Sequence, residues 1–350
     1  MTWGSLAVAL IVALAPVESA AARRVALLVA HPFGGEGLLP LRYTGNDVDR
    51  MREVLGTLGD FAADDIVVSY GEEADEVVSR FREIQQRLRG PDDVFVFYYS
   101  GHAKDGSLRL GETRLPLREL NRLIAESGAS LRIGFLDSCR SGGITRMKGA
   151  ALTEAVPIQI DNAVSQNGTV LITASSENED AQESDAIQGS FFTHYVTSGL
   201  RGAADENLDG EVTLAEAYGY AYDYTVSRTI GTRGGVQHPT YRFDLQGAGD
   251  VIITRPSAPP SAIVFPASVA GSFIVFDTER RVVVAELDKD AGQPARIGVV
   301  PGRYVVKKRE RDHLKMARLT VRSKGEARIE PEEMERVEFA DDYAKGATIS

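Results

Sequence analysis

Cysteine is almost missing from this chain: Cys139 is the only one among 350 residues. One thiol excludes an internal disulfide framework, and it leaves no second Cys to resolve a redox intermediate. Basic charge is also in deficit. Lys and Arg number 39 against 50 Asp and Glu, a formal charge of −11, which argues against a phosphate backbone as the main partner. The same imbalance is compatible with a site that attracts cations. No zinc-type spacing is present, and the GGEG at 34–37 lacks the strand, the Lys and the helix of a phosphate loop. Long repeats and low-complexity tracts are absent as well. The apolar stretch LAVALIVALA at 6–15 falls short of the about 20 residues that a membrane span needs. Followed by Pro16 and small residues through Ala22, it reads as an export signal over 1–22, although no Lys or Arg precedes it. The expected location is therefore periplasmic or secreted, with membrane attachment only if this segment stays uncleaved.

What is present is ordinary globular composition, 43% hydrophobic and 25% charged, enough for one large domain and a smaller one. Apolar runs at 25–30, 65–70, 93–102, 131–139 and 169–176 predict strands. Segments at 46–58, 74–88 and 117–125 carry apolar residues three and four apart and predict helices. A hairpin insert is expected at 107–116, and further helices at 191–200 and 214–227. Strands that are apolar nearly throughout, alternating with helices, predict an α/β fold: a mostly parallel sheet with helices on both faces. YRFDL and DVIIT are expected to pair and to close this unit near residue 255. PSAPPS at 256–261 reads as an extended linker poor in contacts. Beyond it, short strands between Gly, Pro and charged turns predict a small all-β sandwich over 262–342.

In GFLDSCRSGG (134–143) an apolar run stops at Asp137, Ser138 and Cys139, and in FYYSGHA another stops at His102. Buried Cys is usually a small hydrophobe, but Asp, Ser, Arg and Gly are poor core company. A thiol and an imidazole at two neighbouring strand ends form a candidate nucleophile and base, where α/β sheets place their sites. Residues two apart on a strand share a face, so Asp137 is expected beside Cys139 on its accessible face, where a carboxylate suits a substrate Arg or Lys. His194 reads as a satisfied core residue, and His31 and His238 as turn-flanking residues without a partner Cys.

YSGHA and DSCRSG together resemble the caspase and metacaspase superfamily of cysteine peptidases, closer to metacaspases and bacterial caspase-like proteins than to animal caspases. The resemblance covers about 25–255 and includes Asn46-Asp47 at a helix start, FFTHYVTSGLRG (191–202) and QHPTYRF. It implies an endopeptidase in which Cys139 attacks the scissile carbonyl and His102 moves the protons. It also implies backbone N–H donors of Cys139 and Ala103 around the oxyanion. The resemblance places Glu183, and also Glu177, in the wall of the specificity pocket. Caspases hold a substrate Asp with Arg at the Glu183-like position; the opposite sign here implies peptide or protein substrates cut after Arg or Lys. Arg42, near another Asp-recognising Arg of caspases, is the contrary observation. Arg146 and Lys148, downstream of the nucleophile, are candidate self-cleavage points.

DENLDGEVTLAE (205–216) fits a calcium loop independently of the thiol. Asp205, Asn207 and Asp209 supply oxygens, Gly210 turns, Glu211 offers its carbonyl, Thr213 follows and Glu216 closes the loop. Ca²⁺ is the one cofactor expected. The C-terminal module is expected to serve docking or stability, with a protein or envelope component as candidate partner. The rival to the peptidase is a catalytically inactive caspase-like binding protein stabilised by calcium.

Overall fold

The strand β1 (Arg24–His31) is buried on both faces because both are apolar: Ala26, Leu28 and Ala30 turn one way, Val25, Leu27 and Val29 the other. The computed structural model describes residues 22–88, 90, 92–138, 167–176, 179–246, 250–256 and 261–339. After β1 come α1 (Thr44–Leu58), β2 (Ile66–Tyr70), α2 (Ala74–Arg87) and β3 (Val94–Gly101). A small antiparallel insert follows, β4 (Ala103–Lys104), β5 (Ser107–Leu110) and β6 (Thr113–Pro116), then α3 (Leu117–Ala125), β7 (Leu131–Asp137) and β8 (Asn167–Thr173).

The short strands β9 (Glu183–Ser184) and β10 (Gly189–Ser190) pair ahead of α4 (Phe191–Ser198), which runs into a π turn, Gly199–Ala203. The α/β unit ends with β11 (Val212–Thr213), α5 (Leu214–Thr229), β12 (Thr240–Gln246) and β13 (Ile252–Thr254). The main sheet has the order β12-β8-β7-β3-β1-β2, parallel except for β12. Helices α1, α4 and α5 pack on one face, and α2 and α3 on the other. The expected α/β architecture is present. YRFDL and DVIIT, however, do not pair with each other: β12 adds to the open edge of β8, whereas β13 pairs with β11.

Eight strands follow: β14 (Ala262–Phe265), β15 (Gly271–Asp277), β16 (Val282–Lys289), β17 (Ala295–Gly298), β18 (Gly302–Arg309), β19 (Leu314–Val321), β20 (Glu326–Arg328) and β21 (Glu335–Val337). They form a three-stranded and a five-stranded sheet around a core of their own that includes Phe265, Phe273 and Tyr304. The ends of the linker are not poor in contacts. Pro256 is buried, and buried Ser261 donates its hydroxyl to the Arg322 carbonyl at 3.1 Å. Among the described residues no helix is long and apolar enough to cross a membrane; the expected export signal lies, except for Ala22, outside them.

Candidate active site

Strand order places the site. From β1 the chain builds outward to β2 on one side, and from β3 to β7 and β8 on the other, so the crevice between the carboxyl ends of β1 and β3 is a switch point, where such sheets leave room for a ligand. His102 follows β3 there, half-buried. Its Nε2 lies 3.0 Å from the Leu39 carbonyl, in the loop that follows β1. Burial lowers its pKa, opposed by the Leu39 carbonyl and by Glu183, so the ring is kept neutral and able to take a proton. Ala103, whose N–H is an expected oxyanion donor, is buried in β4 beside it.

Parallel pairing of β3 with β7 brings Ser100 level with Asp137, so β7 ends at the height of His102 on the adjacent strand. The Ser175 hydroxyl donates to the Ser138 carbonyl at 3.3 Å and the Ala174 N–H to the Leu136 carbonyl at 2.9 Å, which fixes the end of β7 against β8. Cys139 is the next residue and lies outside the described residues, as do Glu177, Arg146 and Lys148.

Asp137 is not on an open face. It is 4% exposed, and its Oδ2 accepts the hydroxyls of Ser190 and Thr193 at the start of α4. The residue that reasoning from sequence missed is Asp47. In the first turn of α1 and fully buried, it accepts from the Ser100 hydroxyl at 3.2 Å and from the Ser190 N–H at 3.1 Å. Burial pushes the Asp137 carboxyl up to about 6, with Glu183 adding to the rise and the two hydroxyls opposing it. Asp47 is raised too, by burial first and by Asp137 next, against the pull of Arg50 with its Nη1 3.9 Å away. Two desolvated carboxylates thus face one distant guanidinium. Among the described residues the arrangement lacks counter-charge.

Glu183 has both oxygens engaged: Oε2 accepts the Arg42 N–H and Oε1 the Tyr43 N–H, each at 3.0 Å. It therefore caps the approach to α1 while adding negative potential to Asp137. Arg42 is spent elsewhere, in an exposed pair with Asp185 at 3.2 Å. Glu179 pairs with His238 at 2.7 Å. Gln237, fully buried, ties this loop to the sheet by donating to the Ala174 carbonyl and accepting the Gln182 N–H. His194 is buried as expected but is not satisfied: Nε2 lies 3.4 Å from Glu286 of β16, and neither ring nitrogen has a hydrogen bond.

The 205–216 loop has helix before and after it. Val212 is buried in β11, Leu208 and Gly210 take positive φ, and Thr213 caps α5 reciprocally with Glu216. Asp205 Oδ1 is buried without a hydrogen-bond partner, while Asp209 and Asn207 bond each other and nearby N–H groups. Burial raises Asp205 and Glu216, and Asp209 raises both further, which a cation would reverse. Glu216 turns to Thr213, and the Glu211 carboxylate pairs with Arg255 at 3.0 Å. Among the described residues no three His, Cys, Asp or Glu side chains converge as a metal cluster. Of the expected ligands Asp205 leaves an oxygen free to meet a cation, whereas Glu216 is engaged by Thr213.

The family model described as the caspase domain matches residues 23–244. Among solved structures, caspase-1 from Spodoptera frugiperda aligns at 16% identity over 68% of this chain and 92% of its own, with a TM-score of 0.46. A search of curated proteins found no match.

Proposed function

The chain belongs to the caspase-domain family, and from that premise we propose that it is an active cysteine endopeptidase that cleaves after Arg or Lys. The observation that carries the specificity is the buried pair Asp47 and Asp137, with Glu183 behind it and, among the described residues, only Arg50 to offset it. A substrate guanidinium or ammonium supplies the missing counter-charge, and a substrate Asp meets like charge. In this reading Cys139 attacks the scissile carbonyl and its proton passes to His102, which returns it to the leaving amine. Thiolate is consumed in a thioester that water then hydrolyses. The N–H groups of Cys139 and Ala103 hold the oxyanion.

Calcium belongs to the proposal as a resident ion of the 205–216 loop, held by Asp205, Asn207, Asp209, the Glu211 carbonyl and Glu216. It would neutralise the buried Asp205 and stiffen the connection between α4 and α5. Export, self-cleavage near Arg146 or Lys148, and docking of an envelope or protein partner on the β-sandwich complete the reading.

Fluorogenic peptides ending in Arg, Lys or Asp, with and without Ca²⁺, test it on wild type and Cys139→Ala. Hydrolysis of Arg and Lys peptides that vanishes in Cys139→Ala is expected. No turnover under any condition favours the inactive calcium-stabilised binding protein, and preference for Asp refutes the pocket. Intact mass after the same incubation reads self-cleavage; a chain left whole while peptides are hydrolysed removes that part.

A further inference from the structure

We propose that His31 is a positioning residue for this same reaction: a neutral imidazole that latches the loop which orients His102. The inference rests on His102 being the catalytic base. His31 ends β1, is 3% exposed, and pairs in register with Gly101, the residue before His102. Its Nδ1 accepts the Phe33 N–H at 3.2 Å and the Gly111 N–H at 3.3 Å, from the loop after β1 and from the β5–β6 turn. An acceptor Nδ1 puts the ring proton on Nε2.

From that anchor the 32–41 loop folds back, the Leu41 N–H reaching the Pro32 carbonyl at 2.9 Å, and presents the Leu39 carbonyl to His102. Gly34 lies flat against the catalytic ring, where a Cβ would come within 2.7 Å of it. Little else holds this loop. Phe33 and Leu39 are both exposed, Leu39 by 85%, so apolar burial does not fix it and its few hydrogen bonds must.

The latch fails on protonation. With a proton on Nδ1, three N–H donors would converge where one lone pair had accepted two; the Phe33 amide would lose its partner, and the Gly111 amide would keep only the Phe33 carbonyl at 3.2 Å. The titratable groups facing His31 are Glu73 from α2 and His102 from the end of β3, and Glu112 stands by Gly35. Burial lowers the His31 pKa, His102 acts in the same direction, and the Phe33 and Gly71 backbones and Glu73 oppose it. Neutral His31 therefore prevails near pH 7, and acid opens the latch.

The test compares kcat and KM on an Arg peptide from pH 5 to 9 for wild type, His31→Asn, His31→Phe and His102→Ala. Asn keeps an acceptor near the Nδ1 position but cannot take a proton; Phe fills the space and accepts nothing. Expected are a kcat within about threefold of wild type for Asn and a loss of about 10- to 100-fold for Phe, with KM within about twofold in both. The acidic limb of log kcat should lose one proton's worth of slope in His31→Asn. Amide exchange at Phe33, whose N–H bonds His31 Nδ1, should quicken in Phe and not in Asn, a readout independent of turnover. Wild-type kcat in His31→Phe, or an unchanged acidic limb in His31→Asn, overturns the latch while leaving the peptidase intact. Turnover surviving in His102→Ala overturns the peptidase reading beneath it. Should His31→Phe not fold, the limb and the exchange of His31→Asn decide.

Discussion

Asp47 and Asp137 share a site that water does not screen, and their energetics run against their proposed use. Asp137 has its carboxyl pushed up to about 6 in the folded chain from an ordinary value of 3.8. A carboxyl raised on folding contributes stability that is fully present below its unfolded pKa and is lost as pH climbs through the folded one. Asp137→Asn should therefore stabilise the protein at pH 7.5, by about 3 kcal/mol at the usual rate of 1.4 kcal/mol per unit, and change little at pH 4. Denaturant midpoints at the two pH values check this; equal effects at both would remove the buried charge from the account. The catalytic signature has the opposite sense, since only ionised Asp137 attracts a cation: KM for Arg peptides in wild type should rise as pH falls below about 6. Asp137 was singled out in the sequence by its two-residue parity with Cys139, but its burial beneath the Ser190 and Thr193 hydroxyls was not. Asp47 was readable only as a helix start, since its partner residues Ser100, Asp137 and Ser190 are 53, 90 and 143 positions away by subtraction of their numbers. Nothing local marks such a convergence. His31 was passed over for the same reason: its role depends on Phe33 and Gly111, and the latter arrives from a different turn.

At the scale of elements, α4 links the proposed catalytic site to the proposed calcium loop. Its N-cap Ser190 and its Thr193 hold Asp137, and its C-terminal π turn runs into the 205–216 loop. Calcium should raise the melting temperature of wild type, by the equivalent of about 2.7 kcal/mol at a hundred times its Kd. The double variant Asp205→Asn, Glu216→Gln should lose that response, with calorimetry at increasing Ca²⁺ as the measurement; a melting point indifferent to calcium would discard the ion. The helices and buried strands matched their apolar periodicity to within about three residues at each end, because burial on a sheet face leaves a strong pattern. β14 and β21 carry a weaker sequence pattern than the longer sandwich strands. They are short, sit beside the linker and the chain end, and gain their order from pairing with β17, β20 and β19. β13 was assigned the wrong partner because an isolated apolar run carries no record of which edge it joins.

The molecule as a whole is joined through buried charge. Glu53 of α1 bonds Arg201 of the π turn at 2.6 Å and also Arg280 between β15 and β16. Burial would raise the Glu53 carboxyl, but the two arginines outweigh it and hold it below its ordinary value. On the other side of α4, Glu286 meets Arg228 at 3.0 Å, and the Tyr220 hydroxyl donates to the Glu286 carbonyl at 2.6 Å. Glu53→Ala would leave the Arg201 guanidinium buried beside the Gly298 carbonyl without a carboxylate, which should cost about 3–5 kcal/mol and lower the urea midpoint of the intact chain. A midpoint within error of wild type would mean that the sandwich rides on the catalytic unit without bracing it. The claim on which all of this converges is that the strand ends of β3 and β7 carry a thiol peptidase for basic residues. A random peptide library digested by wild type and by Cys139→Ala, with the new termini read by mass spectrometry, tests it most directly. Cuts after Arg and Lys in wild type and none in the variant are predicted. Cuts after Asp, cuts that survive loss of the thiol, or no cuts at all would contradict it.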